Sequence, residues 1–191
     1  MTKRLDIGKG QDILSQSMSD PRYPIGKFAL DPSATDAKRQ SWIAELEATP
    51  AKVRAAVGGL SGPQLDTPYR DGGWTARQVV HHLVDSHLNA LCRLKLALTE
   101  SNPTVKPYDE AAWARLADYR LDPAVSVALL DGVHARFVAL WRACGPDDWA
   151  RTFHHPEHGK DLSLDWLLQL YAWHGKHHVA HITSLRERMG W

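Results

Sequence analysis

The sequence predicts an all-α protein built as a four-helix bundle, and three observations favour this fold class. Four long segments carry apolar side chains at helical spacing, and no convincing set of strand-like segments accompanies them. The connectors between these segments are also too long for simple helical hairpins, so the bundle should contain long crossover connections. We expect the bundle to occupy residues 21–191, preceded by a flexible leader over residues 1–20.

The first two long helices are marked by their caps. The first is predicted over residues 36–60 with Thr35 or Ser33 as its cap, and Pro50 should kink or split it because proline lacks a backbone N–H. The second begins at Thr75, whose capping box ends at Gln78, and runs to about residue 100.

The second half of the chain supplies a small extra helix and the other two long helices. The extra helix is predicted over residues 110–119 and the third long helix over 123–143. The predicted inward positions of the third long helix are Val125, Leu129, Val133, Phe137, Leu140 and Trp141. Residues 151–162 form a turn-bearing excursion that could be a small hairpin. The fourth long helix should run from Ser163 to about Met189. Its predicted inward positions are Leu167, Tyr171, His174, His178, Ile182, Leu185 and Met189.

Composition excludes several classes of function. The chain has 191 residues, 43% hydrophobic and 24% charged, and its 23 Lys+Arg nearly balance 22 Asp+Glu. This balance gives no global field for nucleic acid or an acidic membrane surface, and no unbroken apolar run suggests a membrane span. Cys92 and Cys144 are expected to be buried free thiols in a reducing compartment.

Histidines near the end of the chain indicate a metal site. Four of the eleven histidines lie within residues 174–181. His174 and His178 are spaced i, i+4, so their rings leave one face of the last helix, and that face is the inward one. Two buried imidazoles without a partner would each cost about 1–3 kcal/mol, a cost that ligation of one metal ion removes.

The second helix offers the third ligand as His81, His82 or His87. These side chains point in different directions because adjacent helical residues lie about 100° apart. His82 is favoured because the stripe it shares with Gln78, Ser86 and Asn89 is polar and could line a cavity.

The remaining histidines are expected to play lesser parts. His177 should lie on the outer face of the last helix. A turn-rich surface loop is the better interpretation of His154, His155 and His158 than a second metal cluster, because no regular geometry orients them.

Five motifs, in order, resemble the DinB/YfiT-like family, and the similarity extends over about residues 21–191. They are residues 23–26 (YPIG), 65–75 (LDTPYRDGGWT), 78–87 (QVVHHLVDSH), 106–110 (KPYDE) and 173–182 (WHGKHHVAHI). The resemblance implies a four-helix bundle that binds one divalent metal ion, Zn²⁺ or Ni²⁺, through His82, His174 and His178. It also implies a cytoplasmic protein, often a homodimer.

The function implied by the resemblance is that of a metal-dependent hydrolase or an S-transferase for a low-molecular-weight thiol such as bacillithiol. Three neutral nitrogens leave a coordination position open, as catalytic sites do, and the metal would acidify either a water or a thiol there. The substrate would be a small electrophile, with neither nucleic acid nor a membrane as a partner. A non-catalytic metal- or thiol-binding stress protein and a bundle with purely structural histidines are the alternatives.

Four further residues are candidates around the metal. Asp85 could orient a ligand imidazole, or serve only as a solvated or capping group. Arg70, Tyr69 and His181 could line the entrance to the pocket, where Arg70 would offer a clamp for a carboxylate.

Overall fold

The computed structural model describes residues 20–191 and consists of four long helices with short accessory elements. The long helices are α1 (Asp36–Val57), α3 (Ala76–Thr99), α5 (Pro123–Ala143) and α6 (Leu164–Met189). Two short helices, α2 (Gly62–Leu65) and α4 (Glu110–Trp113), lie in the connectors. The prediction for the leader lies outside the described residues except for Asp20.

The four long helices form a closed ring of neighbours. α6 packs against α1 and α3, and α5 packs against the same two helices. The core between them contains large apolar side chains from all four helices, including Leu46, Leu94, Phe137, Trp141 and Leu167. The predicted four-helix bundle is therefore confirmed.

The predicted caps agree with the structure. Thr35 accepts from the backbone N–H of Lys38, and Thr75 and Gln78 form the reciprocal capping box of α3. Ser163 caps α6 in the same way, with its hydroxyl accepting from the N–H of Trp166. Each cap satisfies a backbone donor that the first turn of a helix leaves unpaired.

α1 continues unbroken through Pro50, so the split predicted at this proline does not occur. The helix ends at Val57, three residues before its predicted end. Proline removes the donor that would normally bond the carbonyl of Leu46. That carbonyl instead accepts from the His134 ring of α5.

Two short elements differ from or refine the prediction. The segment predicted as one helix over 110–119 is α4 followed by a separate 3-10 turn, Ala117–Arg120. The excursion before α6 is an antiparallel hairpin of β1 (Thr152–His155) and β2 (Lys160–Ser163), which pairs Thr152 with Ser163.

The inward positions predicted for α5 and α6 are partly wrong. Val125 and Leu129 are 56% and 51% exposed, and Met189 is 50% exposed. On α5 the first turns bury Ser126 and Leu130 instead, whereas the predicted Val133, Phe137 and Trp141 are buried. Apolar side chains occur on both faces of α5, so the sequence period could not fix which face turns inward.

α5 is long and apolar enough to span a membrane by length and composition alone. Core helices of globular proteins pass the same test, and α5 packs against α1 and α3.

Candidate metal centre

Three histidines from two helices come together inside the bundle. His82 of α3 and His174 and His178 of α6 each offer a ring nitrogen, and these atoms all lie within 4.8 Å of one another. The ring centroids of His174 and His178 are 4.4 Å apart, as expected for an i, i+4 pair on one helix face. The His82 ring lies 4.8 Å from that of His178. This group could hold one metal ion.

The packing of α3 against α6 decides which histidine of the second helix joins the group. His81 faces α5 and the residues just before it. Its Nδ1 lies 2.7 Å from the Ser126 hydroxyl and its Nε2 lies 3.2 Å from the Leu121 carbonyl. His87 touches the edge of the group through Nε2, which is 3.2 Å from Nδ1 of His174. His82 is thus the one of the three candidates that the structure brings to His174 and His178; its role as a ligand remains a prediction.

A glycine on α6 brings this helix close to α1 beside the group. A Cβ atom on Gly175 would lie 2.8 Å from the Thr49 hydroxyl and 3.0 Å from its methyl group. Both residues are buried, so only a glycine leaves room for the two backbones at this distance. The position next to His174 is therefore fixed by helix packing.

Burial keeps the three histidines neutral at physiological pH. Desolvation lowers the pKa of His82 to about 3, with smaller contributions from His181 and His177. The same cause places the pKa values of His174 and His178 well below their ordinary range. A neutral imidazole has a free lone pair, which is the state a metal ion requires.

An unpaired buried nitrogen also supports the fit of these three histidines to a metal ion. Nδ1 of His82 is buried and has no hydrogen-bond partner in the described structure. A buried polar atom without a partner costs about 1–3 kcal/mol. The group contains no carboxylate, so its three ligands would be uncharged and a divalent ion would keep its full charge. Such a site would favour an anionic fourth ligand.

A cavity of about 920 Å³ reaches this group at His174. Its walls come from α3, the segment around α4, the hairpin and α6. The lining includes Ser86, Arg93, Tyr108, Glu110, His155, Trp166, Tyr171 and His174. The cavity therefore connects a possible metal position to a surface with both charged and aromatic side chains.

The four additional candidates do not line this cavity. The Asp85 carboxylate accepts a hydrogen bond from the Tyr119 hydroxyl at 2.7 Å and, among the described residues, forms no hydrogen bond with the three grouped histidines. Tyr69 stacks on His181 with centroids 3.9 Å apart. The Arg70 guanidinium lies over the Tyr69 ring and donates to the Asp71 carbonyl. These three residues lie on the His181 side of the group.

Two predictions about the other histidines are wrong. His177 is buried, not outward, because Trp173 stacks on it and Tyr23 of the segment before α1 lies beside it. His155, placed in a surface loop by the sequence, is buried in strand β1 and lines the cavity. For His177 the cover comes in part from Tyr23, which is distant in sequence, and helical periodicity carries no information about such a contact.

The thiols also differ from expectation. Cys92 is exposed and Cys144 is partly buried, so the prediction of two buried thiols is wrong for Cys92. Cys92 occupies the outer face of α3, where the apolar stripe does not reach.

Several residues of the site carried no clear signal in the sequence. His87 is one of the three ligand candidates on α3, and no pattern in the sequence predicts its contact with His174. No pattern in the sequence assigns Arg93 and Tyr108 to the cavity, because they come from α3 and an irregular connector that meet only in the folded chain.

Comparison with known proteins places the chain in a family. The model of the DinB superfamily matches residues 45–182. A protein of Bacillus mycoides (strain KBAB4), named "Putative metal-dependent hydrolase", is 52% identical over 174 residues, which are 91% of this chain and 100% of the relative. A protein of the same description from Oceanobacillus iheyensis is 51% identical over 89% of this chain and 98% of its own length.

Two solved structures are similar to the fold. YfiT from Bacillus subtilis, described as "a probable metal-dependent hydrolase with an unusual four-helix bundle topology", superposes with a TM-score of 0.87 and 49% identity, covering 90% of this chain and 98% of YfiT. The four-helix bundle protein TT2238 has a TM-score of 0.54 and 22% identity over 76% of this chain and 98% of its own, a likeness of fold alone. The matched span and the level of identity show that this chain belongs to the DinB superfamily, as a YfiT-like four-helix bundle.

Proposed function

We propose that this protein is a metal-dependent enzyme in which His82, His174 and His178 hold one divalent ion, Zn²⁺ or Ni²⁺. The substrate is a small electrophile that binds in the cavity beside His174. The nucleophile is a water molecule, in hydrolysis, or a low-molecular-weight thiol, in S-transfer. The observation that carries the proposal is the convergence of three imidazoles, two of them buried and one half-buried, beside a cavity that His174 lines.

A divalent ion held by three uncharged ligands would lower the pKa of a water or thiol that binds beside them. The chain itself supplies the surroundings for this chemistry. Arg93 and Glu110 give the cavity charges of both signs, and Trp166 and Tyr171 give it apolar walls. The names of the relatives support hydrolysis, while the open cavity leaves room for a thiol cosubstrate.

The ligand assignment is tested by metal content. Purified wild-type protein should contain about one zinc or nickel ion per chain, and the His82→Ala, His174→Ala double variant should contain none. His81→Ala is the matched control, because His81 is a buried histidine of the same helix that lies outside the group. Stoichiometric metal in the double variant would refute the assignment.

The reaction is tested with fluorogenic esters and electrophiles in ¹⁸O-labelled water, with and without a panel of cellular thiols. Labelled oxygen in the product indicates hydrolysis, and a thioether product indicates transfer. Absence of turnover in every combination by a protein that does bind metal would favour the non-catalytic stress protein. The homodimer and the cytoplasmic location remain expectations from the family, and light scattering on the purified protein tests the first.

A further inference from the structure

Each ligand candidate on α6 contacts a second histidine through its Nδ1 atom. His178 Nδ1 lies 3.3 Å from Nδ1 of His181, and His174 Nδ1 lies 3.2 Å from Nε2 of His87. A neutral imidazole carries one N–H and one lone pair. A histidine that gives its Nε2 lone pair to a metal therefore has its proton on Nδ1 and needs an acceptor there.

The contact of His178 with His181 has one consistent arrangement of protons when both rings are neutral. His181 Nε2 lies 3.3 Å from the Arg22 carbonyl, which can only accept, so Nε2 carries the proton of His181. Nδ1 of His181 is then a lone pair and accepts from Nδ1–H of His178. The Nε2 lone pair of His178 is left free. Tyr69, stacked on His181, holds the ring in this position.

The contact of His174 with His87 is the first of a series of polar contacts that extends across the bundle. His87 is fully buried on α3, and its ring stacks on that of His134 with centroids 4.8 Å apart and 22° between the planes. His134 Nδ1 donates to the Leu46 carbonyl at 2.6 Å, the carbonyl that Pro50 leaves without its helical donor. This series of polar contacts thus begins at His174 on α6, passes through His87 on α3 and His134 on α5, and ends at the Leu46 carbonyl on α1.

Ligation of a metal ion by His174 would fix the direction of the hydrogen bond between His174 and His87. Nε2 of His134 and Nδ1 of His87 are both buried without a partner. Because His134 donates through Nδ1, its Nε2 is a lone pair. If His87 accepts from His174 through Nε2, its own proton is on Nδ1. This is the tautomer of His87 that His174 requires when it gives its own Nε2 lone pair to a metal ion, because the Nδ1–H of His174 then needs an acceptor.

We infer that His87 and His181 are positioning residues, which accept the Nδ1–H of His174 and His178 and thereby turn the Nε2 lone pairs of both toward one metal ion. The inference rests on the proposed metal site. His81 has a different environment: its ring nitrogens lie within hydrogen-bond distance of Ser126 and Leu121, and neither is hydrogen-bonded to a grouped histidine.

The experiment is a Co²⁺ titration of the full-length protein after chelator treatment, followed by visible absorption and by competition with a chelator. His87→Leu and His181→Leu remove the acceptors, and each should weaken Co²⁺ binding by about 10–100-fold and alter the absorption bands. His87→Gln and His181→Gln keep an oxygen acceptor and should bind within a few-fold of wild type. His81→Leu controls for loss of a buried imidazole, and its Co²⁺ affinity should not change.

The outcomes separate this inference from the proposed function. Wild type that binds no Co²⁺ overturns both. Wild type that binds Co²⁺, with leucine variants of equal affinity or with an equal loss in His81→Leu, overturns the positioning role and leaves the metal site in place. If the leucine variants do not fold, ¹⁵N NMR of the Zn²⁺-loaded wild type decides the question. Protons on Nδ1 of His174 and His178 support the inference, and a proton on Nε2 of either overturns it.

Discussion

Replacing Gly175 with alanine should destabilise the bundle where α6 crosses α1. The added Cβ would lie 2.8 Å from the Thr49 hydroxyl and 3.0 Å from its methyl group, both closer than ordinary contact. Thr49 is 2% exposed, and its hydroxyl donates to the Glu45 carbonyl at 2.9 Å. Its β-branched side chain has few other rotamers within a helix, so it cannot easily move aside.

The expected change in the free energy of unfolding follows from two destabilising contributions and one stabilising contribution. Overpacking of a buried contact costs about 1–3 kcal/mol, and loss of the Thr49 hydrogen bond costs about 1 kcal/mol. Alanine in place of glycine within a helix gains about 1 kcal/mol. We expect Gly175→Ala to lower the free energy of unfolding by about 1–3 kcal/mol in urea denaturation. Because His174 is adjacent, the displaced helix should also bind Co²⁺ more weakly.

The chain provides a matched control and a rescue. Gly132 lies on the exposed face of α5, and a Cβ there would meet no atom within 4 Å. Gly132→Ala should therefore raise stability by up to about 1 kcal/mol. Thr49→Ala should remove most of the effect of Gly175→Ala, giving a positive coupling in a double-mutant cycle. If Gly175→Ala stabilises the protein as Gly132→Ala does, the close packing of α1 on α6 is refuted.

Three further predictions concern charge, thiols and the cavity. Burial lowers the pKa of four histidines to about 3 or 4; they are His82, His134, His177 and His181. Because the unfolded chain binds these protons near pH 6.5, metal-free protein should lose stability as the pH falls from about 6.5 toward 4. Urea unfolding at pH 7 and pH 5 should show uptake of several protons, and a slope below one proton would contradict the burial. A thiol reagent should label exposed Cys92 well before Cys144, whose pKa burial raises to about 11, and mass spectrometry of the labelled peptides checks the order. Arg93→Met should raise KM for a carboxylate-bearing electrophile by about tenfold with kcat retained, since a positive charge in the cavity is lost; an unchanged KM would place that substrate elsewhere.

The regular elements were largely predictable because their signals are local. The capping box at Thr75 predicts the start of α3 within one residue, and the start predicted at Ser163 is within one residue of that of α6. The position of Pro50 was visible, but its consequence was not. Whether proline breaks a helix depends on a replacement donor for the freed carbonyl, and that donor is His134, far along the chain.

The faces of the helices were less predictable. On α5, apolar residues occur all around the helix, and the sequence favoured Val125 and Leu129 where the bundle buries Ser126 and Leu130. The helical period predicts His177 on the outer face of α6, whereas Tyr23 of the segment before α1 lies against its ring. Such cover is a contact between segments distant in sequence, so helical periodicity carries no information about it.

The all-α class, the positions of most helix ends and the i, i+4 pair His174 and His178 follow from the sequence alone, because each depends on hydrogen bonds and side-chain spacing within one segment. Helix packing brings His82 to this pair, forms the cavity at His174, and places His87 and His181 at the Nδ1 atoms of His174 and His178. The rotation of one helix against another is set by packing on all sides of the bundle, including the close approach at Gly175. That packing is a property of the whole chain, and no single segment encodes it.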